Sequence, residues 1–221
     1  GELGPNDSGV ILRTTDGGES WETIFSADSL AIRNICIVKE KLYAFAEKGG
    51  PSSSYLVSTV LSASSLKWSV RPIPYKPLEQ LGLPKIQVYN DVIYFVDSDY
   101  NLKKLQDDTL STVVHDVSIF DINEHGLLFV GHGTNGITGT DLRIYFSEDH
   151  GMTVDTLSPH PPIFSSNQLS YAHARLLPDV FLIYFTYPDG MLRSFDRGDT
   201  WEVNDPLDPF DFGYPALGGG Y

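Results

Sequence analysis

Three short segments of this chain repeat one pattern, and that repeat constrains the fold more than any other feature. Thr14-Thr15-Asp16-Gly17-Gly18-Glu19-Ser20-Trp21, Ser147-Glu148-Asp149-His150-Gly151-Met152-Thr153-Val154 and Ser194-Phe195-Asp196-Arg197-Gly198-Asp199-Thr200-Trp201 all read Ser/Thr-x-Asp-x-Gly-x-x-(Trp or Val). The residue types suit a hairpin turn. Such a turn leaves backbone N–H groups unpaired, and a short Asp side chain can accept from them. Gly supplies a φ > 0 position at no steric cost. The Ser/Thr hydroxyl adds a local bond. The terminal Trp or Val is expected to fold back as an apolar plug, worth roughly 1.5–3 kcal/mol by burial. These residues are assigned to holding turns, not to chemistry.

The gap between the first and second segments is about three periods of ~44 residues, the size of one four-stranded repeat unit. Two eroded copies are therefore expected between them. One ends at Trp68, a period after Trp21, and the other lies near 101–110, where the turn is Gln106-Asp107-Asp108. All three tryptophans then share one phase of the repeat. Between the turns, apolar residues come in short runs (35–38, 42–45, 92–96, 127–130 and 180–185) bounded by Gly, Pro, Asn, Asp and Ser, the mark of strands and turns. Twelve Tyr and twelve Phe suit strands, and long helical patterns are missing.

Strands are predicted in fours at 32–38, 41–46, 55–60 and 67–73; at 85–89, 92–97, 101–106 and 110–115; at 117–122, 126–131, 142–147 and 152–157; and at 171–176, 180–187, 191–194 and 200–204. Four antiparallel strands per unit make a propeller blade. Only an outer pair, 9–15 and 21–25, precedes these sets.

The repeated turn resembles the Asp-box, or BNR repeat, of sialidases, sortilin-type receptors, xyloglucanases and photosystem-assembly propellers. The resemblance implies an all-β fold: a β-propeller of four-stranded antiparallel blades, about five in number. Residues 1–221 are read as one domain with units at 1–26 plus 208–221, 27–74, 85–116, 117–158 and 169–207. The tail at 210–220, Phe-Asp-Phe-Gly-Tyr-Pro-Ala-Leu-Gly-Gly-Gly, is expected to give the first unit its inner pair. That would close the ring with strands from both termini and remove exposed edges. A piece of a larger propeller is the alternative, and Pro215 within a closing strand is an objection to closure. On the resemblance, the structural positions of the box are Thr14, Asp16, Gly18 and Trp21; Trp68; Ser147, Asp149, Gly151 and Val154; and Ser194, Asp196, Gly198 and Trp201.

Composition limits the partners. Fifteen Lys and Arg against 29 Asp and Glu give a net charge of −14, which argues against nucleic acid and against an anionic membrane surface. No run is long enough to span a bilayer, so no membrane insertion is expected. Cys36, the single cysteine, excludes an intrachain disulfide and is expected to be a buried, inert thiol. No leader is read at Gly1, so an extracytoplasmic protein would be a mature or trimmed chain.

Motifs for catalysis are weak. Sialidases of this architecture carry Arg-Ile-Pro before the first box, and residues 1–13 lack it; Val70-Arg71-Pro72-Ile73-Pro74 does not match and lies after the box. Xyloglucanase-like enzymes pair carboxylates across a cleft between two propellers, and no Asp or Glu here is singled out as acid or base. Asp97-Ser98-Asp99-Tyr100-Asn101 has the opening rhythm of a calcium loop, but Leu102 stands where the turn Gly is needed, and a hairpin is the better reading. His115, His125, His132, His150, His160 and His173 show no metal-ligand spacing. The Gly-rich stretch 131–136 joins two strands and is read as a loop. No cofactor and no metal are expected.

The loops at one end of the central channel are the expected contact surface: 47–54, 97–101, 131–141 and 187–190 within blades, and 72–84, 158–168 and 205–212 between them. They carry Tyr75, Tyr100, His132, Asn135, His160, Phe164 and Tyr187, and exposed aromatics on loops are reasonable anchors. The expectation is a non-catalytic, extracytoplasmic module that presents these loops to a protein partner. A carbohydrate-binding propeller and a glycoside hydrolase are the alternatives.

Overall fold

The computed structural model describes residues 8–48, 53–74, 86–132, 142–157, 173–186 and 189–204. All regular structure among them is β. β1 (Ser8–Arg13) and β2 (Glu22–Asp28) form a two-stranded sheet. Four sheets of four strands follow, each in chain order. They are β3 (Leu30–Val38), β4 (Lys41–Lys48), β5 (Ser54–Val60) and β6 (Ser69–Ile73); β7 (Ile86–Tyr89), β8 (Val92–Val96), β9 (Leu102–Gln106) and β10 (Thr109–Val114); β11 (Val117–Asn123), β12 (Gly126–His132), β13 (Leu142–Ser147) and β14 (Asp155–Leu157); and β15 (His173–Leu176), β16 (Phe181–Thr186), β17 (Asp189–Ser194) and β18 (Glu202–Asn204). Every pairing is antiparallel.

We call the five sheets blades one to five. Short turns make the up-and-down order possible. Asn90-Asp91 joins β7 to β8 and Asp107-Asp108 joins β9 to β10, and all four residues sit at positive φ, between 47° and 64°. Asn and Asp tolerate that region best among residues with a side chain.

The first strands of successive blades are neighbours (β3 with β7, β7 with β11, β11 with β15), so they are the innermost ones. Four apolar layers fill the seams between blades. Phe25, Leu42, Ala44 and Val57 lie between blades one and two. Phe45, Leu56, Ile93 and Phe95 lie between two and three, with Phe45 edge-on to Phe95 at 5.2 Å. Phe120, Leu127 and Phe129 pack with Tyr94 and Leu102 between three and four. Leu128, Ile144 and Phe146 pack with Ala174, Phe181 and Ile183 between four and five. Central strands buried on both faces explain the near-continuous apolar runs.

One expectation about an apolar residue changes. Cys36 is half-buried against the seam between blades two and three, and desolvation pushes its thiol up to about 11. Its neighbours Ile35 and Ile37, on the opposite face of β3, are exposed. The cause is blade one, whose two described strands do not extend across the inner part of that face. The tail at 208–221, expected to do so, lies outside the described residues.

Candidate functional site

Blade topology places two kinds of connection on opposite faces. Links from second to third strand, and from one blade to the next, share one face, the loop face. Its best described part lies between blades three and four. There the β8–β9 turn, residues 97–101, is built on the buried Asp97. Asp97 Oδ1 accepts from the backbone N–H groups of Asp99 and Asn101, both at 2.9 Å. Its Oδ2 accepts from Asn101 Nδ2 at 3.2 Å and faces the Lys103 ammonium at 3.2 Å. A buried carboxylate needs such partners, because an unpaired charge there costs several kcal/mol. The stretch that has the rhythm of a calcium loop is thus a turn whose carboxylate faces N–H donors and an ammonium.

The turn fixes its neighbours. Tyr100 sits at φ 60°, and its carbonyl accepts from Val117 N–H, the first residue of β11, at 2.6 Å. Ser98 N–H donates to the Pro74 carbonyl of the preceding inter-blade link at 3.2 Å. Because Asn101 Nδ2 is directed at Asp97, its Oδ1 must face outward, and it meets His115 Nδ1 at 2.6 Å. The acceptor on Asn101 requires the His115 proton on Nδ1. The half-buried Tyr100 and the exposed His115 therefore stand on a backbone held by these hydrogen bonds.

On blade two the same face carries Glu47, buried at the end of β4 and bonded to Arg33 Nε at 2.8 Å. Of the predicted loop residues, Tyr75, Asn135, His160, Phe164 and Tyr187 lie outside the described residues. His132 ends β12, and its side chain also lies outside them. Tyr100 is the one whose surroundings are described. Sequence reasoning did not join Asp97, Asn101 and His115 into one chain of contacts. The available signal was an Asp with backbone donors two and four residues on.

The opposite face carries the repeated turns, and the three are nearly superimposable in their bonds. Thr14, Ser147 and Ser194 hydroxyls donate to Asp16, Asp149 and Asp196 at 2.7–2.8 Å and accept from the N–H of Gly18, Gly151 and Gly198 at 2.7–2.8 Å. Each Asp also takes the N–H and hydroxyl of the residue four ahead: Ser20, Thr153 or Thr200. These bonds hold the three carboxyls below the ordinary range, Asp149 and Asp196 at about 2. The glycines lie at φ 96–102°.

The tryptophans diverge. Trp21 and Trp201 both donate Nε1–H back to their own turn, at Gly18 and Gly198. Trp201 rests on the core between blades four and five, whereas Trp21 is 60% exposed, so the plug expected there is not buried. Val154 is exposed too. Trp68 instead donates to the Ile24 carbonyl of blade one at 2.9 Å and packs on Phe25 at 4.8 Å between ring centroids.

Among the described residues, no three His, Cys, Asp or Glu side chains are grouped so as to hold a metal ion, and no helix is long and apolar enough to cross a membrane.

Five sheets of this order, packed face to face through apolar seams, define a β-propeller. Solved structures agree. The N-terminal domain of Nup159 aligns over 88% of this chain and 53% of its own, at 11% identity and a TM-score of 0.54. A structure of a variant S. cerevisiae Dbp5 bound to Nup159, Gle1, IP6 and ADP aligns over 88% and 52%, at 9% identity and 0.52. A prolyl endopeptidase aligns over 93% and 34%, at 13% identity and 0.52. The chain thus spans about half the length of the first two and a third of the last. No protein-family model matches the sequence, and no curated protein does.

Proposed function

We propose that this chain is a non-catalytic propeller of the Asp-box kind that binds a protein partner through its loop face. The observation that carries the reading is the hydrogen-bonded turn at 97–101, which fixes the backbone of Tyr100 through its carbonyl and sets Asn101 against His115. A contact residue already fixed in place pays little ordering entropy on binding, and aromatic anchors on rigid loops are what interfaces use. The three matching turns on the other face support the Asp-box reading, since each spends its Asp, Ser/Thr and Gly on the same local bonds. Their carboxyls are lowered by turn N–H and hydroxyl donors, which suits structural acceptors rather than a proton-donating acid. Two of the solved neighbours supply a parallel, because one structure shows Nup159 together with Dbp5 and Gle1.

The extracytoplasmic setting rests on the Asp-box resemblance alone. Fractionation of the host cell tests it, and recovery of the chain with soluble cytoplasmic markers overturns it.

Partner binding is tested by placing a photo-crosslinking amino acid at position 100 in the host and identifying the adduct by mass spectrometry. A discrete protein adduct, lost on Asn101→Ala, supports the reading. A glycan that binds the purified chain with no protein adduct replaces it with the carbohydrate reading, and turnover of that glycan replaces it with the hydrolase.

A further inference from the structure

One chain of hydrogen bonds leads from a buried carboxylate to an exposed ring on the loop face. Asp97, 2% exposed, takes Asn101 Nδ2 at 3.2 Å, and Asn101 Oδ1 then meets His115 Nδ1 at 2.6 Å. The order of donors is forced. A carboxylate facing an ammonium accepts, so the Asn101 group beside it is the amide NH2. The group left for His115 is a carbonyl, which also only accepts, so Nδ1 carries the hydrogen.

A neutral imidazole has one hydrogen on its two nitrogens. With that hydrogen on Nδ1, Nε2 keeps its lone pair. A free histidine side chain prefers the reverse arrangement. The ring edge with Nε2 is turned from Asn101, and His115 is exposed, so the ring offers an acceptor at the surface. A proton added at Nε2 makes it a donor and leaves the Nδ1–H bond in place. Acid therefore inverts what the ring asks of a partner without releasing the ring.

The charged groups around it favour one kind of donor. Among the described residues of the 97–101 turn, β9 and the link to β11, Asp97 and Lys103 face each other at 3.2 Å. Lys104 lies on the opposite face of β9 from Lys103. Asp99 and Asp116 are exposed; one precedes Tyr100 in the chain and the other follows His115. The chain as a whole carries −14. A cationic donor suits this setting, and a partner's carboxylate does not.

We propose that His115 is the acid-sensitive contact of the loop face: its Nε2 accepts from a Lys or Arg side chain of the protein partner, and protonation of Nε2 releases that partner. The inference rests on the loop-face reading and adds the chemistry of the partner and its regulation. Asp97 and Asn101 act through His115 as positioning residues.

Two measurements test it. Nitrogen NMR of the histidine rings in the labelled full chain, assigned with His115→Gln, reads the hydrogen directly. At about pH 8, where imidazole is neutral, His115 should show Nδ1–H and a bare Nε2, and Asn101→Ala should let the Nε2–H form appear. A parent chain with Nε2–H as its main form overturns the proposal. The second measurement is the adduct from the photo-crosslinking amino acid at position 100, formed in host extract. Its yield should fall by at least roughly tenfold between about pH 8 and about pH 5, because two cations then face each other. In His115→Gln, whose amide gains no charge, that dependence should vanish. Asp99→Asn with Asp116→Asn should lower the yield at about pH 8; Asn keeps the left-handed backbone at 116, where φ is 60°. A protein adduct whose yield ignores pH overturns this inference and leaves the loop-face reading standing. So does a dependence that survives in His115→Gln, or a yield that the two Asn substitutions do not change. No protein adduct at either pH removes both.

Discussion

Gln87 Nε2 donates to Asp121 Oδ1 at 2.6 Å across the seam between the innermost strands of blades three and four. Gln87 Oε1 returns a bond by accepting from Ile122 N–H at 2.9 Å, and Asp121 Oδ2 accepts from Leu176 N–H of blade five at 2.7 Å. Two side chains thus tie three blades together near the axis. Asp121→Ala strands the Leu176 N–H and the Gln87 amide, and a buried donor left unsatisfied costs about 1–3 kcal/mol. A loss of about 2–4 kcal/mol is expected in urea unfolding, and Gln87→Ala should cost less because Leu176 keeps its acceptor. An Asp121→Ala chain as stable as the parent would remove the clamp from this account.

The turn carboxylates predict an acid dependence. Asp149 and Asp196 are held at about 2 against an ordinary 3.8, by donors that require the ionised form. A depressed native value favours folding above the unfolded value, and that advantage fades as pH falls through the native one. The thermal midpoint should therefore drop between pH 4 and pH 2, over the interval that those two values define. Asp149→Asn with Asp196→Asn starts from a lower midpoint near neutrality and falls less over the same interval. Parallel melting curves for parent and double variant across that window would contradict the assignment.

Trp68 supplies a third test. Its indole N–H bonds Ile24 O at 2.9 Å while its ring lies on Phe25. Trp68→Phe keeps most of the ring contact and loses the bond, an expected cost of about 1 kcal/mol. Trp68→Ala loses both, and about 3 kcal/mol is expected for a large aromatic at a partly buried site. Hydrogen exchange should show the loss concentrated in β1 and β2, since this residue ties blade one to blade two. Uniform loss of protection across all blades would argue that the seam is not the weak point.

Strand sets and turns were legible because both are local. Short apolar runs bounded by turn residues, the Asp107-Asp108 turn and the Ser/Thr-x-Asp-x-Gly turns carry their geometry within a few residues, and Leu142–Ser147 falls where the pattern sets it. Seams were not legible. Gln87 and Asp121 are 34 residues apart, and nothing near either one signals the other. The same holds for Trp68 and Ile24, 44 residues apart. The run 35–38 was legible as a strand, but which face of β3 is covered depends on blade one, and Ile35 and Ile37 are exposed. In the candidate site, Asp97 and Asn101 were visible as a turn, whereas His115 joins them only because one blade follows another.

The repeated turns offer matched glycines for a last test. Gly18 and Gly198 occupy equivalent places, at φ 102° and φ 96°. A side chain there costs about 1–2 kcal/mol in backbone strain alone. A Cβ on Gly18 would meet only the Trp21 ring at 3.9 Å, an ordinary contact. On Gly198 it would overlap the Leu157 side chain from blade four. Gly18→Ala should therefore show strain only, and Gly198→Ala should add about 1–3 kcal/mol for overpacking. Combining Gly198→Ala with Leu157→Ala separates the two terms, because the smaller partner removes the overlap but not the strain. In a double-mutant cycle by chemical denaturation, the pair should cost less than the sum of its members. Strict additivity would mean that the turn at 194–201 does not press on Leu157 of the preceding blade.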